Sequence, residues 1–254
     1  MIKEERFAKI MEYLKHRHFA SNREIMDYLG VSKATVRRDF IELQQQGRIA
    51  AARGGVSLIM DDTTAVPSYK GKKNSHTTEK NDIAQAAASL ITAGETVFIS
   101  AGTTTRAMLP YLDGLSSLNL ITNDLLVAAD STFIKNIDVT VTGGKLRKNY
   151  YTLRGYAAED YVRKIKIDRA FIGMDAVDPT VGCYMDNDDE VPLIERVIES
   201  SHETVIVCDS SKLSNKAFML AAPFSLVHTL ITDRGIAPEA KQLIEEQIPR
   251  LIIV

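Results

Sequence analysis

The sequence predicts an α/β protein with two domains. The first is a small N-terminal winged helix-turn-helix domain, and the second is a larger Rossmann-like domain with a mostly parallel sheet and helices on both faces. Two observations predict this fold. Residues 1–57 contain a helix-turn-helix pattern followed by a basic hairpin pattern. From residue 79 onward, short apolar runs alternate with helical stretches, which is typical of parallel sheets that are covered on both faces.

Length and charge agree with this division. A chain of 254 residues that is 45% hydrophobic and 25% charged can bury a core in one large domain or two modest ones. Residues 1–57 contain eleven Lys and Arg against seven Asp and Glu, whereas the rest of the chain contains twenty against twenty-six. A basic small domain joined to an acidic larger one is the balance expected when the small domain binds nucleic acid.

Cysteine content and hydropathy limit the class of protein further. The two cysteines, Cys183 and Cys208, are too few for a disulfide scaffold, and Cys208 lies in an apolar run where a thiol is usually inert packing. The opening residues MIKEERFAKI lack the apolar core of a signal sequence, and no run approaches the roughly eighteen apolar residues of a membrane span. We therefore expect a cytoplasmic protein without a metal site or a cofactor.

The N-terminal residues predict two helices before a tight turn. An apolar stripe at helical spacing marks the first helix: Phe7, Ile10, Met11 and Leu14. The second helix begins after Ser21, which has Glu24 as its capping-box partner. Ile25, Met26 and Leu29 form its buried side. It ends at Gly30, a residue suited to a left-handed C-cap.

A third helix follows the turn and starts at Ser32, a good N-cap. Its buried stripe consists of Val36, Phe40 and Leu43, and its outward face carries Ala34, Thr35, Arg37 and Arg38. Two short helices joined in this way form a helix-turn-helix, whose second helix enters the DNA major groove by its N-terminal end. Many small helical pairs that do not bind DNA share these features. Pairing of the second arginine with Asp39 or Glu42 would also make it an ordinary surface residue.

Residues 48–59 predict two short strands around a turn. A basic hairpin after a recognition helix is a wing, whose tip can reach the DNA backbone or the minor groove. The predicted DNA-binding residues are Ser32, Lys33, Thr35, Arg37, Arg38 and Arg53. We expect Thr35 and Arg53 to position the DNA backbone, and Arg37 and Arg38 to reach base edges or phosphates.

Residues 58–78 read as a linker between a DNA-binding domain at 1–57 and an effector-sensing domain at 79–254. The segment is polar, contains Pro67 and Gly71, and shows no periodicity. Three lysines lie in it: Lys70, Lys72 and Lys73. Solvated charges and a DNA-contacting arm are both consistent with these lysines, and solvated charges are the commoner case.

Seven strand-like runs and six helical stretches alternate in the larger domain. The strand-like runs are 96–100, 119–122, 139–142, 170–173, 204–208, 230–232 and 251–254. The helical stretches are 83–91, 105–112, 125–129, 157–164, 190–201 and 238–247. Because ligands in such sheets bind beyond the carboxyl ends of the strands, the informative residues should follow the strands.

Polar loops do follow five of these strands. The loop at 102–105 offers backbone amides and hydroxyls to an anion at a helix start, although a threonine there can also serve only as a helix cap. Together the five loops favour a pocket for a small phosphorylated polar ligand. We expect Lys145 and Lys212 to neutralise the phosphate charge. The predicted effector-binding residues are Gly102, Thr103, Thr104, Thr105, Asn123, Asp124, Lys145, Asp175, Glu190 and Lys212.

The segment VSKATVRRDFIELQQQGRIAAARGGV resembles the DNA-binding signature of DeoR-type transcriptional regulators. In those proteins a T-[IV]-R-R-D core leads to an R-x-G-G-[AV] wing. Here the core lies at 35–39, and the wing reads R-G-G-V at 53–56, without the residue between the Arg and the glycines. The resemblance continues through the larger domain, with matching motifs at 102–105, 122–123, 143–147, 190 and 209–212. It implies a sensor domain with the fold of ribose-5-phosphate isomerase, adapted to sense sugar phosphates or related metabolites.

The chain departs from the family pattern at several positions. Ser100-Ala101 stand where the family often has an Asp, Ile194-Glu195 stand where it usually has Lys-Arg, and Leu213 replaces a common aromatic residue. The first two departures remove charges near the expected ligand, so the identity of the metabolite stays open. In the linker, Tyr69 and Lys72 match the aromatic and the Arg of the family only loosely. We expect this linker to relay ligand binding to the wing.

The resemblance implies a repressor of a carbohydrate-utilisation operon that a phosphorylated sugar or related metabolite releases or modulates, and not an enzyme. The alternative is a sugar-phosphate isomerase with an accessory helical domain, for which Asp175, Glu190 and Lys212 could supply acid and base groups. An isomerase has no use for a winged domain, which favours the regulator. Its expected partners are double-stranded operator DNA, the metabolite and further copies of the chain, because one winged domain makes too small an interface for tight, selective binding.

Overall fold

The computed structural model describes residues 2–17, 19–46, 48–52, 55–58, 72, 75–148 and 150–254. The chain divides into two compact units, Met1–Ser75 and His76–Val254. Most of the predicted linker, including Tyr69 and the proposed relay, lies outside the described residues. No helix in the described part of the chain is both long enough and apolar enough to cross a membrane.

Among its described residues, the first unit contains three helices and a three-stranded antiparallel sheet. The elements are α1 (Lys3–Arg17), β1 (Phe19–Ser21), α2 (Asn22–Leu29), α3 (Lys33–Gln45), β2 (Ile49–Ala52) and β3 (Gly55–Leu58). The strand order is β1-β3-β2. The sequence predicted every element except β1, which pairs with β3 and is too short to show a periodic pattern.

The turn chemistry of the helix pair is as predicted. The hydroxyl of Ser21 accepts a hydrogen bond from the Glu24 amide, and the Glu24 carboxylate accepts one from the Ser21 amide. Gly30 ends α2 with a φ of 65°, a left-handed conformation that favours glycine. Ser32 caps α3 by accepting from the amide of Thr35 at 3.3 Å. These caps fix where both helices of the motif begin and end.

One apolar core joins the three helices to the sheet of the first unit. It contains Phe7, Ile10, Leu14, Ala20, Ile25, Leu29, Val36, Phe40, Leu43, Ile49 and Val56. The predicted buried stripe of α3 is wholly inside this core. Met11 and Met26, which the sequence placed on buried faces, are only partly buried.

The second unit is built on a seven-stranded sheet in which neighbouring strands are parallel. In spatial order the strands are β15 (Arg250–Ile253), β14 (Thr229–Thr232), β12 (Ser201–Val207), β9 (Ile167–Gly173), β4 (Thr96–Ile99), β5 (Leu118–Thr122) and β6 (Ile137–Val141). Each strand corresponds to one of the predicted apolar runs, with starts that differ by at most three residues. The predicted α/β fold with a mostly parallel sheet is confirmed.

Six α-helices accompany this sheet in the described residues of the second unit. They are α4 (Thr77–Ala88), α5 (Thr103–Arg106), α6 (Leu125–Ser131), α7 (Tyr156–Arg163), α8 (Val191–Glu199) and α9 (Pro238–Glu245). The predicted helix at 105–112 is interrupted, because α5 is only four residues long and a separate 3₁₀ turn follows at Leu109–Tyr111. Helix α4 begins at Thr77, before the predicted end of the linker.

The sheet is buried on both faces. Val97 on β4 and Phe171 on β9 point into the core that contains α4 and α6. Their neighbours Phe98 and Ala170 point into the opposite core, with α7, α8 and α9. The period-two alternation of a strand therefore buries every residue in turn, which explains why these strands read as continuous apolar runs.

Five further strands lie outside the parallel sheet in the described part of the second unit. Strands β7 (Lys145–Arg147) and β8 (Thr152–Arg154) form an antiparallel hairpin. Strands β10 (Ala176–Asp178), β11 (Gly182–Met185) and β13 (Met219–Pro223) form a small antiparallel sheet. The sequence did not predict them, because their pairing depends on partners elsewhere in the chain that a local pattern does not show.

The strand order reverses beside β4. In chain order, β4, β5 and β6 extend across the sheet in one direction, whereas β9, β12, β14 and β15 extend in the other. Strands β4 and β9 therefore flank the topological switch point. Open α/β sheets bind ligands outside the carboxyl ends of the strands at this point, which is where the loop at 102–105 lies.

Candidate functional sites

Five of the six predicted DNA-binding residues lie at the cap and on the first turns of α3. They are Ser32, Lys33, Thr35, Arg37 and Arg38. Both arginines are exposed, as the helical periodicity predicted. The hydroxyl of Thr35 is 3.0 Å from that of Ser32, so it takes part in the cap. Arg53, the sixth residue, lies outside the described residues.

The carboxylates nearest to these arginines in sequence are bonded to other cations. Asp39 is 2% exposed and accepts hydrogen bonds from Arg6 on α1, at 2.7 Å from Nε and 2.9 Å from Nη2. Glu42 accepts from the Lys3 ammonium at 2.5 Å. Within the described residues, the two exposed arginines of α3 form no ion pair. Their guanidinium groups are therefore available to an external anion.

Gly55 fixes the path of the hairpin that follows α3. It lies where β3 meets β1, and its register partners are Ser21 on β1 and Ala52 on β2. A Cβ atom at this position would collide with the backbone carbonyl of Ala20. The close approach of the two backbones thus requires glycine here, and it joins the hairpin to the sheet.

The loop after β4 is held by its own hydroxyl groups. Thr105, which is fully buried, donates from Oγ1 to the carbonyl oxygens of Ser100 at 2.8 Å and Gly102 at 3.0 Å. The hydroxyl of Ser100 in turn accepts from the amide of Gly173 at the end of β9, at 3.0 Å. The Thr105 hydroxyl therefore shapes the loop from within. Thr103 and Thr104 precede it on the first turn of α5.

Asn123, after β5, braces two neighbouring loops. Its Oδ1 accepts from the amide of Ala101 at 3.0 Å, and its Nδ2 donates to the carbonyl of Leu153 on β8 at 3.3 Å. The side chain is only 3% exposed. It thus ties the loop after β4 to the β7–β8 hairpin and uses both polar atoms in doing so.

Asp124 is fully buried and caps α6. Its Oδ1 accepts from the amides of Leu126 at 2.7 Å and Val127 at 3.3 Å. Burial raises the pKa of the Asp124 carboxyl, an effect that these backbone N–H groups oppose. The backbone amide of Gly102, in the loop after β4, also lowers the pKa of this carboxyl.

Strand β7 presents its two cations differently. Lys145 is exposed. Arg147 donates to Oε1 of Glu190 at 2.8 Å, and its guanidinium carbon lies 3.7 Å from the centroid of the Tyr150 ring. Glu190, a predicted effector ligand, is thus already paired. The glycine-turn motif contained Arg147, yet only the fold shows that it meets a glutamate 43 residues away.

Asp175 and Lys212 follow the adjacent strands β9 and β12. The Asp175 carboxylate accepts from the amide of Asp186 at 3.1 Å. Lys212 lies in the 3₁₀ turn Ser210–Leu213 and is half-buried. Among the described residues its ammonium group forms no ion pair, so a cation without an anionic partner stands at this edge of the sheet.

Two carboxylates anchor the turn that carries Lys212. Asp209 caps it by accepting from the amide of Ser211 at 3.2 Å. Asp233, after β14, accepts from the Ser210 amide at 2.6 Å and from the Gly235 amide at 2.9 Å. Although burial opposes ionisation, these hydrogen bonds hold the pKa of the Asp233 carboxyl below its usual value.

The two cysteines pack in the core beside this turn. Burial raises the pKa of the Cys208 thiol to about 12, and it raises the pKa of Cys183 well above its ordinary value. Because the thiolate is the reactive form, both side chains are inert at neutral pH, as the sequence predicted for Cys208.

The second unit has two surface cavities to consider besides the loops. One is lined by α4 and the segment after β14, including Glu79, Asp82 and Arg234. The other lies at the amino ends of the strands, beside His202 and His228. No predicted effector residue lines either cavity, so the grouping of those residues rests on the loop geometry at the switch point.

Comparison with known proteins gives the family. A model of DeoR-like helix-turn-helix domains matches residues 6–62, and a model of the DeoR C-terminal sensor domain matches residues 75–234. The chain belongs to the DeoR family. Its predicted helix-turn-helix and sensor domains are therefore confirmed, while the predicted boundaries at 57 and 79 stay predictions.

DeoR-family relatives align along nearly the whole chain. YgbI, an HTH-type transcriptional regulator of Escherichia coli strain K12, is 32% identical over 253 residues, which cover 100% of this chain and 98% of that protein. The transcriptional repressor GlcR of Bacillus subtilis strain 168 is 30% identical over 234 residues, which cover 92% of this chain and 90% of GlcR. The glycerol-3-phosphate regulon repressor of E. coli K12 is 29% identical over 229 residues, which cover 90% of this chain and 90% of that protein.

Solved structures overlap the chain less closely. Ribose 5-phosphate isomerase A from Methanocaldococcus jannaschii aligns with 54% of this chain and 55% of its own, at 16% identity and a TM-score of 0.41. A probable sor operon regulator from Shigella flexneri aligns with 72% of this chain and 87% of its own, at 11% identity and a TM-score of 0.41. The fold assignment therefore rests on the strand order of the DeoR-family chain itself.

Proposed function

We propose that this DeoR-family protein is a repressor that binds operator DNA through α3 and the β2–β3 hairpin, and that a phosphorylated sugar or related metabolite releases it. One observation carries the DNA-binding part. Arg37 and Arg38 are exposed and form no ion pair within the described structure, because α1 supplies the cations that Asp39 and Glu42 need.

Exposed arginines that form no ion pair with the protein are suited to bind a polyanion such as DNA. Each unpaired guanidinium that replaces a counterion at a phosphate contributes to affinity, and a guanidinium in the major groove can donate two hydrogen bonds to a guanine. Their place on the first turns of α3 agrees with the docking of a recognition helix by its N-terminal end. We assign Ser32, Lys33 and Thr35 to the DNA backbone.

The proposed effector site lies at the switch point between β4 and β9. Lys212 is its main cation, because it is half-buried and unpaired among the described residues. Thr103 and Thr104 face the ligand in this proposal, whereas Thr105 and Asn123 hold the loops around it. A phosphate supplies the negative counter-charge that Lys212 lacks, and the carboxylate of Asp175 suits the hydroxyl groups of a sugar as an acceptor. Asp124, which is fully buried, shapes the site by capping α6.

Release of DNA needs only a modest coupling energy. A hundredfold change in operator affinity corresponds to about 2.7 kcal/mol of coupling between the two sites. One or two charge-assisted hydrogen bonds that form in one conformation only, at about 1.5–3 kcal/mol each, supply this amount. A ligand acts through such a difference in affinity for two conformations and not through tight binding alone.

The names of the relatives support both parts of the proposal. GlcR of B. subtilis and the glycerol-3-phosphate regulon regulator of E. coli are named as repressors, and the second name includes a phosphorylated polyol. A putative aga operon repressor of E. coli O157:H7 is 29% identical over 252 residues. We extend to this chain the repressor role and a phosphorylated carbohydrate as the class of effector.

We also propose that the protein is not an isomerase. An isomerase needs a carboxylate that is free to remove a proton, whereas Glu190 is paired with Arg147 and Asp175 accepts a backbone hydrogen bond. Incubation with ribose 5-phosphate, followed by a ketose assay, tests this directly. Turnover above that of a heat-denatured sample would contradict the proposal.

The main experiment selects the operator and then tests its release. Duplexes enriched from a random pool by the full-length protein are titrated with protein, first alone and then with each member of a panel of sugar and polyol phosphates. We expect selective binding of one sequence and loss of that binding with at least one phosphate, but not with its unphosphorylated sugar. A protein that enriches no sequence would contradict the proposal.

The repressor is proposed to act as a homo-oligomer, since one winged domain buries too little surface for tight selective binding, which needs about 1,000 Å² or more. Light scattering should give the mass of a dimer or a tetramer at working concentration. A monomer both with and without DNA would contradict this part of the proposal.

A further inference from the structure

We infer that the Arg6–Asp39 pair between α1 and α3 is a positioning device that sets the rotation of α3 about its own axis. The pair thereby sets the direction in which Arg37 and Arg38 point. This inference rests on the proposed function, in which α3 reads the operator. It assigns to Asp39 a role in specificity although the side chain faces away from the DNA.

The geometry of the pair is directional. Both carboxylate oxygens of Asp39 are used, with Arg6 Nε 2.7 Å from Oδ2 and Arg6 Nη2 2.9 Å from Oδ1. Such two-point contact holds the guanidinium and the carboxylate in one plane and so adds geometric specificity to the attraction. The side chains of Arg6 and Asp39 are 16% and 2% exposed, so water has little access to the pair.

The apolar core by itself leaves this rotation less defined. Burial of Val36, Phe40 and Leu43 drives α3 onto the unit, but the hydrophobic effect is non-directional. A rotation of about 20° moves a side chain at the helix surface by about 2 Å, given a helix radius of roughly 5–6 Å. Hydrogen-bond lengths vary by only about 0.5 Å. A small rotation is therefore enough to misalign an arginine with a base.

The same two helices provide a matched control. Lys3 and Glu42 lie three residues from Arg6 and Asp39 respectively, and they form a single contact at 2.5 Å. Their side chains are 48% and 34% exposed. An exposed one-point contact of this kind is weak and screened by salt, so it joins the same elements without fixing their angle.

The first test compares Arg6→Lys with Lys3→Arg in the full-length protein. Arg6→Lys keeps the charge but removes the planar fork, whereas Lys3→Arg also keeps the charge and changes the exposed pair. Affinity is measured at one salt concentration for the selected operator and for an unrelated duplex of equal length. We expect Arg6→Lys to lower operator affinity about tenfold while affinity for the unrelated duplex changes less than twofold. Lys3→Arg should leave both values unchanged.

A second variant separates positioning from stability. The double substitution Arg6→Met with Asp39→Leu replaces the buried pair by apolar side chains, a change that often preserves or raises stability. We expect a protein with an unfolding midpoint near that of the wild type and a ratio of operator to unrelated affinity at least tenfold lower. A wild-type ratio in both variants would overturn the inference. Loss of both affinities in proportion to the unfolded fraction would also overturn it, because the pair would then serve stability alone.

The proposed function fails independently of this inference. If Arg37→Ala and Arg38→Ala both keep wild-type operator affinity, α3 does not read the operator and the proposed function itself is wrong. If those two variants lose operator affinity while Arg6→Lys and the apolar pair do not, only the positioning role is wrong.

Discussion

The exposed face of α3 and the loops at the carboxyl edge of the large sheet differ in how they use their polar side chains. On α3, Arg37 and Arg38 are exposed and, within the described residues, unpaired. At the sheet edge, Thr105, Asn123 and Glu190 are all bonded to the protein itself. A surface that reads DNA presents its charges outward. A small-molecule site needs loops held in a fixed shape, and many of its polar side chains form hydrogen bonds that hold those loops and not the ligand.

The comparison predicts that the two regions can be inactivated separately, and the effector site should show the largest effect. Thr104→Glu places a carboxylate where the phosphate of the ligand is proposed to lie, and Lys212→Ala removes the proposed cation. We expect at least a hundredfold loss of sugar-phosphate affinity by calorimetry in each variant, with operator affinity unchanged. The repressor should then be uninducible. Wild-type ligand affinity in both variants would place the phosphate site elsewhere.

On α3, the expected effect is next in size. Arg38→Ala should cost about 1–3 kcal/mol of operator affinity if the side chain reads a guanine, and it should relax selectivity at one base pair. Sugar-phosphate affinity should not change. Titration of the selected operator and of its single-base variants measures both quantities, and a uniform loss across all sequences would assign Arg38 to phosphate contact instead.

Within the effector loop, neighbouring threonines should behave differently. Thr105→Val removes a buried hydroxyl that donates to two carbonyl groups, so it should lower the free energy of unfolding by about 1–3 kcal/mol. Thr103→Val, at a half-buried position, should leave stability unchanged and weaken ligand binding. Urea denaturation combined with calorimetry distinguishes the two roles. Equal stability of both variants would contradict the assignment of a structural role to Thr105 and of ligand contact to Thr103.

The smallest expected effect is a pH dependence at Asp124. Because burial raises the pKa of this carboxyl, the folded state binds its proton more tightly than the unfolded state does. Its contribution to stability is thus present at low pH and is lost as the pH rises from the unfolded value, about 3.9, through the folded one. Asn is an equally good N-cap. The stability of Asp124→Asn relative to the wild type should therefore increase between pH 4 and pH 7, and a constant difference would contradict this assignment.

The sequence was informative wherever one period held over many residues. The stripe of α3 placed the arginines outward without any knowledge of the tertiary fold. The seven apolar runs located the parallel strands because burial on both faces leaves no polar alternation to obscure them. Short antiparallel pairs such as β7–β8 escaped prediction, since their pairing depends on partners that a local pattern does not show.

The sequence did not predict which residues the polar side chains of the effector region would bond to. A Thr that holds a loop and a Thr that binds a ligand occur in the same local motif. The hydrogen bond from the Thr105 hydroxyl to the Ser100 carbonyl is seen only in the folded structure. The pairing of Arg147 with Glu190 spans 43 residues and depends on a hairpin that was not predicted. The close approach that requires Gly55 is likewise set by β1, a strand without a sequence signal.

The position of β9 beside β4 has a consequence for the order in which the protein folds. The bond between Ser100 and Gly173 joins residues 73 positions apart, and β5 and β6 are made between the two strands that it connects. Closing so long a loop is slow, and parallel sheets fold slowly for this reason. The helices of the first unit, by contrast, form from local contacts and leave the ribosome before the second unit does. In newly made chains the winged domain is thus expected to be folded before the parallel sheet of the second unit is complete.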